Sequence, residues 1–291
     1  FCLYISYSVV KYRKMASLAE QIDRILHGEE LQIMEHCCEG EFAVLATSID
    51  KMVQRMLEQQ SILQKEKVFL ADSMADISHQ MKTPLTSISL LLNLLQEEHL
   101  SEKKRLQYVQ DLMKLTGRID WMVYALLRLA KLDAGTVQLQ QVPYQIEDLI
   151  KAAVTPLEIA LDIRDITLEV QMQPDLQHRG DISWMTEAVS NILKNCMEHT
   201  PSGGHIRIVT KDNPLYLLIK ITDSGSGFTK QDLPHIFERF YRGQNADTDS
   251  VGIGLALAKR IIIAQNGTIR AYNHKKDGGA VFEIRMYKGA V

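Results

Sequence analysis

The sequence predicts an α+β chain in which a long helical hairpin precedes an α/β sandwich. Three observations carry that expectation. Apolar residues step by three or four from Leu70 to Leu95, and again from Leu106 to Leu129, which is the period of helices that bury one face. After Gly135 the texture changes to short strand-like runs interleaved with shorter helical patterns. The length of 291 residues exceeds the usual single-domain size, so two or three units are expected.

Composition narrows the class. Hydrophobic residues make up 46% and charged residues 24%, which argues against wholesale disorder. Lys and Arg number 33 against 36 Asp and Glu, a net charge of -3 without the basic footprint of a nucleic-acid binder, so no nucleic-acid partner is expected. Cys2, Cys37, Cys38 and Cys196 fit neither a disulfide framework nor a zinc-ligand spacing and read as reduced cytosolic thiols.

The elements follow in order. Residues 1–14 open on Phe1 rather than Met, and an apolar run to Val10 is followed by Lys11, Arg13 and Lys14 with no acid among them. Spanning a bilayer takes about 20 apolar residues. The stub therefore reads as the cytoplasmic exit of a truncated membrane helix, with a core helix end or a signal remnant as alternatives. On that reading the chain sits at the cell membrane with residues 15–291 cytoplasmic.

Residues 15–61 suggest two short helices, Ser17 to Leu26 and a second from near Phe42, joined by a connector between Gly28 and Gly40. Residues 62–135 form the hairpin. Its first arm carries Leu70, Met74, Ile77, Met81, Leu85, Ile88, Leu92 and Leu95 on one seam. Glu97 to Ser101 interrupts the seam, and the second arm carries Leu106, Val109, Leu112, Leu115, Ile119, Met122, Leu126 and Leu129. A lone hairpin leaves much of this seam bare. Two copies pairing into a four-helix bundle, a homodimer, would cover it.

Residues 136–291 make the second domain. Strands are expected at Val137 to Val142, Ile166 to Met172, His205 to Lys211, Leu215 to Thr222, Thr268 to Asn273 and Ala280 to Tyr287. Helices are expected at Ile146 to Leu161, Ile182 to His199 with Asp181 as N-cap, and Ile253 to Asn266. Phe228 to Val251 lacks steady periodicity and reads as a long loop, a candidate lid.

Four constellations carry chemistry. At 100° per residue, His79 lies about 200° from the seam residues Ile77 and Met81, so it faces solvent, with Thr83 one turn along on the same face. Pro84 removes the N–H that would serve the Gln80 carbonyl, so a bend is expected beside an accessible imidazole. Alone, this pattern also fits a surface histidine next to a tolerated proline. Asn191 and Asn195 share one helix face, and Asn195 can offer a neutral oxygen to a hard cation such as Mg²⁺. The same pair fits an exposed polar face. Asp223 stands at a strand end before Gly225 and Gly227, where a carboxylate can accept from an adenine amino group and backbone can approach a ligand closely. Gly252-Ile253-Gly254-Leu255 opens a helix, an arrangement whose N–H groups suit polyphosphate.

In order and spacing these segments resemble the sensor histidine kinases of two-component signalling. The resemblance rests on a phosphoacceptor box at His79 to Leu85, an asparagine box at Asn191 to Thr200 and a glycine box at Asp223 to Gly227. A phenylalanine box at Ile236 to Arg242 and a second glycine box at Gly252 to Leu255 complete it. It covers residue 62 to the end. Residues 15–61 look like a shortened HAMP relay module, resting on the two-helix pattern and Gly40-Glu41-Phe42.

The resemblance implies an ATP-binding domain of the Bergerat (GHKL) type that phosphorylates His79, with Gln80 and Thr83 beside it. It implies Asn195 as the Mg²⁺ ligand and Asn191, Lys194 and His199 around the nucleotide. Asp223 would be the adenine reader, and Gly225, Gly227, Gly252, Gly254 and Leu255 would shape the pocket. Arg239 or Arg242 would touch the γ-phosphate, and Phe237 and Phe240 would anchor the lid. The implied partner is the receiver domain of a response regulator, whose dephosphorylation Thr83 would assist. Related hydrolytic ATPases place a Glu where this chain has Asn191, and a carboxylate there would activate water.

One residue departs from the family pattern. An acid usually follows the histidine, and here Gln80 does. Its amide oxygen can hold an imidazole N–H but brings no negative charge to the cation that forms, so transfer is expected to be slow rather than abolished. A nearly inactive nucleotide-binding scaffold and a gyrase-like ATPase are the rival readings.

Overall fold

The computed structural model describes residues 5, 8, 9, 12, 13, 15, 16, 41–97, 99–243, 251–274 and 278–289. The expected helix at Ser17 to Leu26, its connector to Gly40, Cys2, Cys37, Cys38, most of the apolar stub and the lid segment 244–250 lie outside the described residues. Among the described residues, no helix is long and apolar enough to cross a membrane.

The chain divides into one unit over Phe1–Ala75 and another over Asp76–Val291. Helix α1, Glu41–Leu95, begins in the first and has no break at residue 61. It contains no glycine, and its single proline is Pro84. Side-chain hydroxyls cluster around that proline. Thr83 Oγ1 donates to the His79 carbonyl at 3.3 Å, Thr86 Oγ1 to Lys82 at 2.8 Å and Ser87 Oγ to Thr83 at 3.2 Å. Such back-bonding one turn up accompanies bent or softened helices.

In the second unit, α2 (Glu102–Asp133) follows α1, and the Glu97 to Ser101 break falls where the sequence placed it. Ser101 is extended at the start of α2, and its carbonyl accepts from Arg105 N–H at 3.0 Å. Along the hairpin, Leu85, Leu92, Leu106 and Val109 remain exposed, whereas Met122, Ala125, Leu129 and Leu132 of α2 are buried in the core of the α/β domain. The lower half of α2 therefore belongs energetically to both parts of this unit.

The α/β domain is a two-layer sandwich. Its elements are β1 (Val142–Gln145), α3 (Ile146–Val154), a 3₁₀ turn at Thr155–Leu157, α4 (Glu158–Ile163), β2 (Thr167–Gln171), β3 (Gln177–Gly180), α5 (Ile182–His199), β4 (His205–Asp212), β5 (Tyr216–Asp223), α6 (Gly254–Ala264), β6 (Gly267–Asn273) and β7 (Ala280–Tyr287). The main sheet has the order β2-β4-β5-β7-β6, parallel only between β2 and β4. Alternation explains why one face is buried. Leu217, Ile219, Ile221 and Asp223 of β5 point inward with Ile206 and Ile208 of β4 and Phe282, Ile284 and Met286 of β7. Helices α3, α5 and α6 supply the opposing apolar faces, with Leu149, Met185, Val189, Ile192, Leu257 and Ile261 buried in the shared core.

Two expectations need correction. The strand expected at Val137 to Val142 lies at Val142–Gln145 and pairs with β3, a strand the sequence did not suggest. Gln-His-Arg-Gly offers no apolar alternation, and its pairing comes from β1, with Tyr144 opposite His178. The helix expected over Ile146 to Leu161 breaks at Thr155–Leu157, where Pro156 removes an N–H, and resumes as α4.

Candidate functional site

Helix α5 starts where the sequence placed it. Asp181 Oδ1 accepts from Ser183 N–H at 3.1 Å and Trp184 N–H at 3.3 Å, serving two of the helix's orphan donors. Gln265, at the end of α6, holds the Asp181 backbone from both sides, its Oε1 accepting the Asp181 N–H at 2.7 Å and its Nε2 donating to the Asp181 carbonyl at 3.2 Å. The start of α5 is thereby tied to the end of α6, and both helices border one cavity.

That cavity has a volume of about 740 Å³, within the range of small-molecule sites. From α5 it is lined by Asn191, Lys194, Asn195, Glu198 and His199. The end of β5 and the following turn contribute Asp223, Ser226, Gly227 and Phe228. Asp232, Ile236, Tyr241, Arg242 and Gly243 form the loop side, and Val251, Gly252, Gly254 and Leu255 form the entry to α6.

Asp223 is buried, and its Oδ1 accepts from the N–H groups of Gly225 at 2.9 Å and Ala280 at 3.0 Å. The carboxylate is thus fixed in orientation at the cavity floor. Cys196 lies buried beneath it. Burial first, then the Asp223 charge and a hydrogen bond to it, push the thiol well above its ordinary value, so it stays protonated.

The glycines act by close approach. Gly227 has φ +70°, and a Cβ there would lie 2.2 Å from the Gly278 carbonyl oxygen. Gly252 has φ +73°, and a Cβ there would lie 2.5 Å from the Tyr241 carbonyl oxygen. Any side chain at either position would be strained and would collide with backbone. Gly225 is packed as tightly, with a Cβ position 2.4 Å from the His199 carbonyl oxygen.

Asn191 Nδ2 donates to the Glu187 carbonyl at 3.0 Å, which aims its Oδ1 toward Gly254. The N-terminal backbone of α6 therefore borders the asparagine face of α5. An anionic group is favoured there by unpaired helix N–H groups and the helix dipole.

The hairpin closes the remaining side. Ser87 of α1 and Asp111, Lys114, Leu115, Gly117, Arg118 and Trp121 of α2 line the same cavity. Three contacts fasten α2 there. Lys194 Nζ sits 5.2 Å from the centre of the Trp121 ring. Arg128 stacks 4.2 Å from the Trp184 ring centre and pairs with Glu187, whose carboxyl is pushed up by burial despite that arginine. At the foot of α2, Asp133 pairs with Arg239 and, through Oδ1, with Arg260 Nε at 2.8 Å.

Of the sequence-predicted residues, the structure brings Asn191, Lys194, Asn195, His199, Asp223, Gly227, Arg242, Gly252, Gly254 and Leu255 to one cavity. Gly225 supports the floor from behind. Arg239 stands outside the cavity lining, bonded to Asp133. His79 is exposed on α1 with Thr83 exposed one turn on and Gln80 half-buried, and none of the three lines the cavity. The pocket meets α1 at Ser87, eight residues further along, a rise of about 12 Å. The α2 wall was missed because its residues read only as one arm of an apolar seam. A stripe of three charged residues and a tryptophan at helical spacing, Asp111, Lys114, Arg118 and Trp121, was the available signal.

Comparison with known proteins agrees with this architecture. Residues 70–135 match the model of the His Kinase A (phospho-acceptor) domain, and residues 180–289 match that of the histidine kinase-, DNA gyrase B- and HSP90-like ATPases. A phosphoacceptor hairpin followed by an ATPase-type sandwich defines the class. The chain belongs to the sensor histidine kinases of two-component signalling.

It is 28% identical over 97% of its length to the heme sensor protein HssS of Staphylococcus saprophyticus, covering 59% of that protein. It is 32% identical over 73% of its length to the sensor protein SphS of Synechococcus elongatus, covering 53% of it. The chain thus spans little more than half the length of these relatives. Among solved structures, histidine kinase ThkA in complex with the response regulator TrrA shares the fold with a TM-score of 0.61 at 18% identity, covering 80% of this chain and 66% of that one. Acinetobacter baumannii histidine kinase AdeS gives 0.59 at 19% identity, covering 73% and 98%.

Proposed function

We propose that the chain is an ATP-dependent protein histidine kinase that phosphorylates His79 and passes the phosphoryl group to an aspartate of a response-regulator receiver domain. The observation that carries this is the convergence of Asn191, Asn195, Asp223, Gly227, Arg242, Gly252 and Gly254 on one cavity, in the same unit as an exposed histidine. Asp223 reads the adenine amino group. The α6 entry and Arg242 take the phosphates.

Mg²⁺ fits the donor set. Among the described residues no three His, Cys, Asp or Glu side chains gather as a metal cage, whereas Asn195 offers one neutral oxygen beside the phosphate end of the cavity. A cation held mainly by phosphate oxygens and water suits Mg²⁺, which would neutralise phosphate charge. Positioning and charge neutralisation carry the transfer. A ring nitrogen of His79 bonds to the γ-phosphorus as the bond to the ADP oxygen breaks, and on this reading the Gln80 amide oxygen would accept from the other ring N–H.

Domain roles follow the same reading. Residues 62–135 form the dimerisation and phosphotransfer hairpin, with the exposed Leu85, Leu92, Leu106 and Val109 seam covered by a second copy. Residues 136–291 bind ATP, and residues 15–61 relay a signal. On this reading the chain acts at the cell membrane. Phosphatase action on the regulator, assisted by Thr83, completes the cycle.

The test is incubation of the chain with γ-labelled Mg·ATP. Acid-labile, base-stable label is expected on the parent and none on His79→Ala. Steady phosphate release without protein label would favour the gyrase-like ATPase, and nucleotide binding with neither would favour the inactive scaffold.

A further inference from the structure

The wall that the α/β domain presents to the cavity is poorly charged for a polyphosphate. Among the described residues, Lys194 and Arg242 face three carboxylates, Glu198, Asp223 and Asp232. Lys194 is moreover 4.0 Å from Glu198, which already claims part of its charge. Mg·ATP carries net negative charge, so these side chains as a set do not attract it.

The missing positive charge stands on the other wall. Lys114 and Arg118 are four residues apart on one face of α2, and both line the cavity with a single acid, Asp111, which lies 3.9 Å from Lys114, so two cations against one acid leave this wall one net positive charge. Arg118 is half-buried, which places its guanidinium in a less screened setting than open solvent. Trp121, three residues on, packs against Lys194 and brings this face to the asparagine helix rather than to the solvent side of the hairpin.

We propose that α2 of the hairpin is a functional wall of the nucleotide site, with Arg118 and Lys114 binding the polyphosphate of ATP or ADP. This rests on the ATP-site reading above and adds to it that the hairpin binds nucleotide as well as receiving the phosphoryl group. Nucleotide then favours the docked arrangement, because it bonds to both walls at once, and docking raises nucleotide affinity by the same factor.

The test uses the full chain and calorimetric titration with Mg·ATP, Mg·ADP and adenosine. Arg118→Ala is expected to weaken ATP and ADP by roughly ten-fold and Lys114→Ala by a smaller factor, with adenosine little changed, since only the phosphates lose a charged hydrogen bond. Arg118→Lys should recover part of the loss. A merely structural role for α2 would weaken all three ligands alike. That result, or ATP and ADP affinities within about two-fold of the parent in both alanine variants, overturns the proposal. Failure of the parent to bind any adenine nucleotide would instead remove the ATP-site reading beneath it.

Discussion

His178 shows how much one side chain can owe to its strand. It lies buried in β3, edge-on to the Tyr144 ring at 6.0 Å between centroids. Burial first, and then the charge of Lys288, lowers its affinity for a proton. The unfolded chain therefore binds the proton more readily, and stability should fall as pH drops through about 6.5 toward the lower folded value, with no such contribution above it. Thermal unfolding between about pH 7.5 and about pH 5.5 should show a smaller loss in His178→Gln than in the parent. Parallel losses in the two proteins would mean that protonating His178 costs nothing in the fold. The sequence could not reveal this residue, because its own strand, Gln-His-Arg-Gly, has no apolar period and its burial comes from pairing with β1. Asp223 and Gly227 were legible for the opposite reason. A strand-end carboxylate followed by glycines is a local pattern, and its function depends on local backbone.

Among the elements, legibility followed whether the signal was carried within the segment. Helix α5 matched from Ile182 to His199 because its cap, its apolar period and its end are all in its own sequence. Asp181 is the hinge of that match. Its Oδ1 serves two N–H groups of α5, and its Oδ2 accepts from Gln140 N–H at 3.2 Å, tying the segment after the hairpin to the start of the helix. Asp181→Ala should cost about 1–2 kcal/mol in denaturant unfolding, the range measured for lost N-caps. Asp181→Asn keeps an acceptor at the same place and should recover much of that loss. Equal destabilisation by both variants would show that the charge, and not the cap geometry, matters. Helix α2 was half legible. Its apolar spacing announced a helix, but Met122, Ala125, Leu129 and Leu132 serve the α/β core, and Asp111, Lys114 and Arg118 serve the cavity. A periodic seam says that a face is buried without saying against what.

At the scale of the Asp76–Val291 unit, the cavity lies against Ser87 while His79 of the same chain is about 12 Å further along α1. On the proposed reading, delivering a phosphoryl group from this cavity to His79 of the same chain requires the α/β domain to leave this docking, and Asp133 is one of its fastenings. Both carboxylate oxygens are engaged, one by Arg239 and one by Arg260, and all three side chains are about a quarter to two-fifths exposed. Screening at that exposure limits the pair of contacts to about 1 kcal/mol. A shift of that size changes the ratio of docked to released forms by about five-fold. Asp133→Asn should therefore phosphorylate His79 about two- to five-fold faster than the parent at saturating Mg·ATP. Limited proteolysis in the segment 134–141, which joins α2 to β1, should quicken in parallel as the domain spends more time released. Nucleotide affinity should fall slightly, since fewer molecules present the α2 wall to the phosphates. A variant that labels no faster while its 134–141 segment is cut more readily would show that release from this docking does not limit transfer.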